Sequence, residues 1–264
     1  MKSKIWKIPY SRPVIPPELL AAGYTPLLAA VLSLRGIMTA DEAARLIRGS
    51  ESCLHDPMLM KGMPAAVERV HRAISSGETV AVYGDYDVDG ITSTCLLTQF
   101  LLDLGANVQP YIPGRLEEGY GLNEPAIRGL KDQGVSLIIT VDCGITANKE
   151  AELCRSLGID LVVTDHHECK TTLPAAIAVV DPHRPDQPDN AQHDLAGVGV
   201  AFKLAAAISG DQTSLLDRFA DLLCLGTVAD VMPLTGENRA MVARGLKALA
   251  KPKRVGIAAL MAEC

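Results

Sequence analysis

Between Thr79 and Val180 the chain alternates short apolar runs with helical ones. Five runs, 79–83, 108–112, 137–141, 161–164 and 176–180, are apolar without period-two alternation, which predicts strands buried on both faces of a sheet. The stretches 91–104, 124–133 and 147–157 between them predict helices. This rhythm predicts a parallel sheet covered by helices. The handedness of such crossovers puts every strand's C-terminal end on one edge. The last third predicts helices over 197–208, 213–226 and 236–250 and a further piece from Val255. The predicted fold class is therefore α/β: a mostly parallel five-stranded sheet flanked by helices, with a helical C-terminal part.

Upstream, 25–35 and 39–48 predict two short helices. Thr39 followed by Glu42 forms a capping box, and Asp41 suits the first turn. Residues 1–25 are proline-rich without a clear period and predict an arm lying on the domain. LHDPMLMKGM (54–63) predicts a linker. Pro64 opens a helix through Ser76 with Val67, Val70 and Ile74 on one face. The expected organisation is an N-terminal arm with short helices over 1–60 and a catalytic domain over 61–264. The sequence stops at Cys264 soon after a helical segment begins, so a fragment of a longer protein is expected.

Composition narrows the classes. Apolar residues make up 48% of 264, enough for a sizeable core, which excludes global disorder. No apolar stretch reaches the roughly 18 residues a membrane helix needs, and the N-terminus lacks the apolar core of a secretory signal. Seven cysteines, an odd number without a CxxC pair, predict reduced thiols and a cytoplasmic setting. The net charge of −6 argues against coating nucleic acid by bulk charge. A local excess remains: Arg239, Arg244, Lys247, Lys251, Lys253 and Arg254 share their stretch with only Glu237. It reads as a solvated helix face with a basic tail, or as a local basic groove.

The candidate chemistry sits where the strands end. The first ends in Asp85-x-Asp87, with Asp89 two residues on. The third ends in VDCG with Asp142, the fourth in TDHHE with Asp165, His166, His167 and Glu168, and the fifth in VDPHRP with Asp181 and His183. All are expected to face one crevice. Carboxylates this close repel unless cations neutralise them. Oxygen and imidazole donors without thiolates favour Mn²⁺ or Mg²⁺, with Zn²⁺ or Fe²⁺ also open. Cys143 points away from its neighbour Asp142 on a strand end and reads as structural. Asp230, in LGTVADVMPL, reads as an exposed helix-end carboxylate or as a buried one held by a metal. Two ions about 3.5–4 Å apart activate a nucleophile and stabilise in-line phosphoryl displacement. There is no GxSxG elbow, P-loop or GxGxxG to offer an alternative.

Phosphate also needs cations. Arg115 lies in YIPGRLEEGYGLN (111–123), after the second strand, and Arg184 in DPHRP. Tyr111 and Tyr120 are candidates to stack a base. AGVGVAFK (196–203) reads either as helix amides offered to a phosphate or as tight helix packing through Gly197 and Gly199.

GDYDVDG (84–90), VDCG (141–144), TDHHE (164–168) and TVADVMPL (227–234) resemble the four motifs of the DHH phosphoesterases. LRGI (34–37), LHDPMLMKGM, YIPGRLEEGYGLN, LAGVGVAFKLA (195–205) and GENRAMVARGLKAL (236–249) resemble, more closely, the RecJ-type single-strand-specific exonucleases of that family. The resemblance runs from about residue 30 to the end. It implies 5′-to-3′ degradation of single-stranded DNA to 5′-mononucleotides with two Mn²⁺ or Mg²⁺ ions, in DNA repair and recombination. It implies that Asp85, Asp87, Asp142, His166 and Asp230 hold metal, with Asp142 bridging. His167 would then lie near the scissile phosphate, with Arg115, Tyr120 and Arg184 on the substrate, while Asp89 and Asp165 orient neighbours. The implied partners are single-stranded DNA and a single-strand-binding protein or helicase, with no membrane and a monomeric protein.

Two departures bear on this. Many DHH phosphatases carry a histidine four residues before the first motif aspartate, where this chain has Ala81. RecJ-type members share that lack, which favours the exonuclease branch but leaves one metal position poorer in ligands. RecJ-type chains also continue into a second domain and an oligonucleotide-binding barrel that this sequence does not contain. Three alternatives stand: an oligoribonuclease or small-nucleotide phosphoesterase of the same family, a haloacid-dehalogenase-type phosphatase using Asp85-x-Asp87, and a non-catalytic metal-binding domain or replication scaffold.

Overall fold

Val80 and Val82 of the first strand, β1 (Thr79–Gly84), pack into one apolar cluster, and Ala81 and Tyr83 into another. All four are buried, so both faces of the strand are covered, as its unbroken apolar sequence requires. The structure is a computed structural model describing residues 14–48, 54–170, 172–187 and 194–264. The chain divides into two compact units, Met1–Ser50 and Glu51–Cys264.

In the larger unit β1 joins β2 (Asn107–Tyr111), β3 (Val135–Val141), β4 (Asp160–Thr164) and β5 (Ala178–Val180) in a five-stranded sheet of order β2-β1-β3-β4-β5. Every pairing is parallel. The chain leaves β1 toward one edge and returns beyond it as β3. The crevice where open α/β sheets bind ligands therefore lies at the C-terminal ends of β1 and β3. Their register runs to Gly84 opposite Val141, so Asp85 and Asp142 leave the sheet side by side.

Helices cover both faces. On one lie α4 (Met63–Ser75), α5 (Val88–Asp103), α8 (Gly197–Ser209) and α9 (Gln212–Ala229), with α10 (Gly236–Leu249) against α9. On the other lie α6 (Glu124–Asp132) and α7 (Asn148–Ser156). A last helix, α11, spans Val255–Glu263. Burying a Val, Leu or Phe side chain contributes about 1.5–3 kcal/mol, and β1, α5 and α8 are buried along most of their length. A charged pair lies inside: Lys203 of α8 pairs with Glu237 of α10 and donates to Gln212 Oε1 at 2.8 Å and the His55 carbonyl at 2.9 Å.

The smaller unit holds α1 (Pro17–Ala21), α2 (Pro26–Leu34) and α3 (Ala40–Arg48) around Leu19, Ala29, Leu32 and Ala43. The expected capping box forms, with Glu42 N donating to Thr39 Oγ1 at 3.3 Å and Glu42 Oε2 accepting from Thr39 N at 3.1 Å. The expected arm over 1–25 is corrected in its described part. Pro17 starts a helix that sinks Leu19 into this core, a single apolar anchor too short to show a period. Residues 1–13 lie outside the described residues. The expected linker 54–63 instead holds a 3₁₀ turn, Pro57–Leu59, capped by Asp56, and Met60 and Met63 are core. The division after Ser50 thus falls ten residues before the expected boundary at 60.

At the sheet edge opposite the crevice, Arg69 of α4 is buried and donates to Glu78 at 2.6 Å and to Asp160 at 2.5 Å, while Ser136 donates to Glu78 at 2.7 Å. The hydrogen bond from Arg69 holds the Glu78 carboxyl below its ordinary range against the opposing effect of burial. Its folded pKa is depressed, so its contribution is complete above the unfolded value and fades as pH falls through the folded one. Glu78→Gln is expected to lower unfolding free energy by about 1–3 kcal/mol at pH 7, because Arg69 loses a charged partner in a buried setting. Urea denaturation from pH 7 down to 3 checks this: the gap between the two proteins should close in acid.

Candidate metal centre

The ends of β1, β3 and β4 and the C-terminal end of α9 meet in one acidic cluster. Asp85 and Asp142 are the first residues past β1 and β3. Past β4, Asp165 takes its place in the turn and sends His166 into the cluster and His167 to its rim. Asp230 is the C-cap of α9. Three overlapping sets of donor atoms lie within 4.8 Å of one another: Asp85, Asp87 and Asp142; Asp142, His166 and His167; Asp89, His166 and Asp230.

Each aspartate after β1 has a different surrounding. Asp85 is buried and its Oδ1 has no hydrogen-bond partner. Asp87 is exposed and is the N-cap of α5, accepting from Gly90 N at 2.9 Å. This start, three residues earlier than expected, places Asp89 in the first helical turn, where backbone polarity favours a negative charge. Asp89 in turn accepts from Gly197 N at 2.6 Å and Val198 N at 2.9 Å, capping α8. The α8 amides are therefore occupied within the protein, and the expectation that they face a phosphate is corrected. The packing alternative holds, since a Cβ on Gly197 would lie 2.5 Å from the Asp142 Cβ.

His166 Nε2 lies 3.1 Å from Asp142 Oδ1, 3.7 Å from Asp230 and 3.8 Å from Asp89. Neither Nε2 nor Asp142 Oδ1 completes a hydrogen bond, although both are buried. Two buried polar atoms left without hydrogen-bond partners cost stability unless a cation lies between them. Burial, and then the charges of Asp89, Asp87 and Asp165, drive the Asp142 carboxyl far above the usual carboxylate range. Burial also raises Asp85, and lifts Asp89 to about 6. Burial thus disfavours the charged form of all three, and this donor set of carboxylate oxygens and imidazole fits Mn²⁺ or Mg²⁺.

Asp165 behaves in the opposite way. Burial would raise it, but the bond from His167 Nδ1 at 2.7 Å and the amides of Ile145 and His166 hold it low. The same bond, outweighing burial, raises His167 to about 9. Tyr120 stands edge-on to the His167 ring, its hydroxyl 3.3 Å from Nδ1. Arg115 lies over the ring of Tyr86, 5.2 Å from its centre.

Other expectations change. Asp181 and His183 do not join the donor sets. β5 is the edge strand beyond β4, and its Asp181 caps the following turn, accepting from His183 N at 2.7 Å. Arg184 turns away from the cluster, its guanidinium bonded to both Asp186 oxygens at 2.8 Å and to the Val179 carbonyl at 2.6 Å. Tyr111 stacks on Tyr83 and donates to Glu118 at 2.6 Å, leaving Tyr120 as the exposed ring. Asp230 is half-exposed rather than buried, because it caps the end of α9 and opens on a cavity of about 130 Å³ with Asp87, Val88, Asp89 and Ala229. Cys143 is fully buried, its thiol pushed well up by burial, as a structural residue requires. The spacing also understates Asp89: alternation suggests a third strand-end carboxylate, but helix α5 has already begun and turns it toward α8.

Gly197→Ala is expected to weaken Mn²⁺ binding about tenfold or more, because the methyl would displace the Asp142 carboxylate. Gly199→Ala is the comparison. Its Cβ would meet only the Leu195 side chain, at 3.2 Å or more, and Mn²⁺ binding by calorimetry should be near that of the parent.

Residues 79–227 match the DHH family, N-terminal domain. The chain is 46% identical over 90% of its length to the single-stranded-DNA-specific exonuclease RecJ of Bacillus subtilis, covering 30% of that protein. It is 38% identical over 92% of its length to RecJ of Escherichia coli, covering 44% of it. A crystal structure of RecJ in complex with Mn²⁺ from Thermus thermophilus superposes with a TM-score of 0.73, at 32% identity over 92% of this chain and 34% of that one. The chain thus spans less than half the length of the curated relatives it matches. With the family match covering the whole sheet and the strand-end cluster that the sheet creates, the chain belongs to the DHH family.

Proposed function

We propose that this chain is the metal-dependent phosphodiesterase domain of a RecJ-like exonuclease, which removes 5′-mononucleotides from single-stranded DNA in repair and recombination. The observation that carries the reading is the buried, unbonded pairing of Asp142 Oδ1 with His166 Nε2 beside the unbonded Oδ1 of Asp85. Similarity to the RecJ exonucleases supports the substrate class, and the Mn²⁺ complex of one of them supports the metal.

In this reading Asp85, Asp87, Asp142, His166 and Asp230 hold two Mn²⁺ or Mg²⁺ ions, with Asp142, the donor common to the Asp85–Asp87 set and the His166–His167 set, shared by both. Bound there, the ions would neutralise phosphate charge and activate water at neutral pH. Asp89 and Asp165 position the cluster through their backbone bonds. The His167 ring, anchored by Asp165, stabilises charge on the scissile phosphate. Tyr120 and Arg115, on the loop after β2, meet the strand end. Arg184 would have to leave Asp186 to do the same, so its part in substrate binding is the weakest of the set. No helix of the described residues is long and apolar enough to cross a membrane. The free cysteines among the described residues support a reducing, cytoplasmic setting. Single-stranded DNA is the partner this reading requires, and a monomer suffices for it.

Asp142→Asn is expected to abolish Mn²⁺-dependent release of mononucleotides from end-labelled single-stranded DNA, with a fall of about 10³-fold or more. Turnover at the parent rate would sink the assignment. His167→Gln should lower turnover by about 10²–10³-fold while leaving Mn²⁺ affinity near the parent's, since it removes a charge-stabilising group rather than a principal ligand. Mn²⁺ calorimetry beside the nuclease assay separates the two roles.

A further inference from the structure

The basic stretch singled out in the sequence builds a second feature against the middle of α9. Helices α9 and α10 cross at backbone contact: a Cβ on Gly245 would lie 2.1 Å from the Ala220 carbonyl oxygen. The crossing brings the last turn of α10 and the connection to α11 over the middle of α9. There they enclose a cavity of about 440 Å³. Asp217, Arg218 and Asp221 of α9 form one wall, and Lys247, Lys251, Lys253 and Arg254 the other. Asp221 to Asp230 spans roughly 14 Å along α9 at about 1.5 Å per residue, so this cavity is separate from the metal centre.

Its charges are not balanced. Arg244 takes Asp217, and Arg254 takes Asp221 at 3.0 Å. Arg218 pairs with Asp103. Both Arg218 and Arg254 also lie over the Phe219 ring, 4.9 and 5.3 Å from its centre, which fixes their guanidinium groups. Lys247, Lys251 and Lys253 are exposed, and no carboxylate pairs with any of them among the described residues. Arg254 is also the N-cap of α11, and no side chain caps that helix. Uncapped first-turn amides beside the cavity add attraction for an anion. In a chain of net charge −6, three unmatched lysines around one cavity mark a local site rather than a basic surface.

We infer that this cavity binds phosphate groups, and that their source is the backbone of a single strand held away from the metal centre. The strand as source rests on the function proposed above; the anion chemistry of the cavity does not. A free oligophosphate offers the same chemistry, and the two are separated by experiment.

The test uses the full chain in EDTA, so that nothing is cleaved. Binding of fluorescein-labelled oligothymidylate is followed by anisotropy between about 50 and 200 mM salt. The triple variant K247Q/K251Q/K253Q is expected to bind about tenfold or more weakly at the lower salt. Its log–log salt slope should shrink by about 2, three phosphates at about 0.7 each. The charge-matched triple K131Q/K149Q/K170Q, at exposed lysines elsewhere, should keep the parent affinity. Calorimetry with inorganic tripolyphosphate runs in parallel. Loss of tripolyphosphate binding alone keeps the phosphate site but overturns the strand as its source. Equal weakening in both triples, or no change with either probe, overturns the site. Because none of these readouts uses metal, lost nuclease activity with intact anion binding would count against the proposed function and not against this pocket.

Discussion

Repulsion among carboxylates at the end of a sheet is the constraint on which this structure turns. Asp85, Asp87, Asp89, Asp142 and Asp165 gather where β1, β3 and β4 stop, and little water reaches four of them. The fold disposes of part of the charge itself. Asp87 caps α5, Asp89 caps α8, and Asp165 takes three backbone amides and the His167 ring. Backbone dipoles thereby answer three of the five. What they leave, Asp85 and Asp142 with His166, is the set whose inward atoms lack partners.

Holding this arrangement requires closeness elsewhere. Gly197 lets α8 come against Asp142, and Gly226 lets α9 come against Asp89 and Thr92. Asp142 has φ +59° and Val231, just past Asp230, has the same value. Left-handed backbone costs a residue of either type about 1–2 kcal/mol, and more for a β-branched one. The two-sided core offsets this, since each large side chain buried on β1, α5 or α8 contributes a similar amount. Strain at the site and apolar burial around it are thus two sides of one balance.

Helix α9 also sorts charge along its length. Its C-terminal end delivers Asp230 to the acidic cluster, while its middle, with α10 and the start of α11, carries the lysine-rich cavity. A net charge of −6 describes neither part. An acidic centre attracts divalent cations and, with them, phosphate, whereas the basic part attracts phosphate directly.

Much of this was legible in one dimension. Unbroken apolar strands and their alternation with helices define the sheet, and acidic strand ends define the edge where the cluster forms, because period and crossover handedness are local properties. The motif resemblance picked out Asp85, Asp87, Asp142, His166, His167 and Asp230 together. Tertiary structure decided what spacing cannot express. It separated Asp181 from Asp142 because β5 is an edge strand, turned Arg184 onto Asp186, and gave the α8 amides to Asp89. It buried Leu19 from a stretch without a period, and folded the basic stretch around a cavity rather than along a flat helix face. The reason is common to all of these. Sequence patterns report which residues leave the backbone on the same side, but which partner answers a buried charge depends on the close approach of segments far apart in the chain.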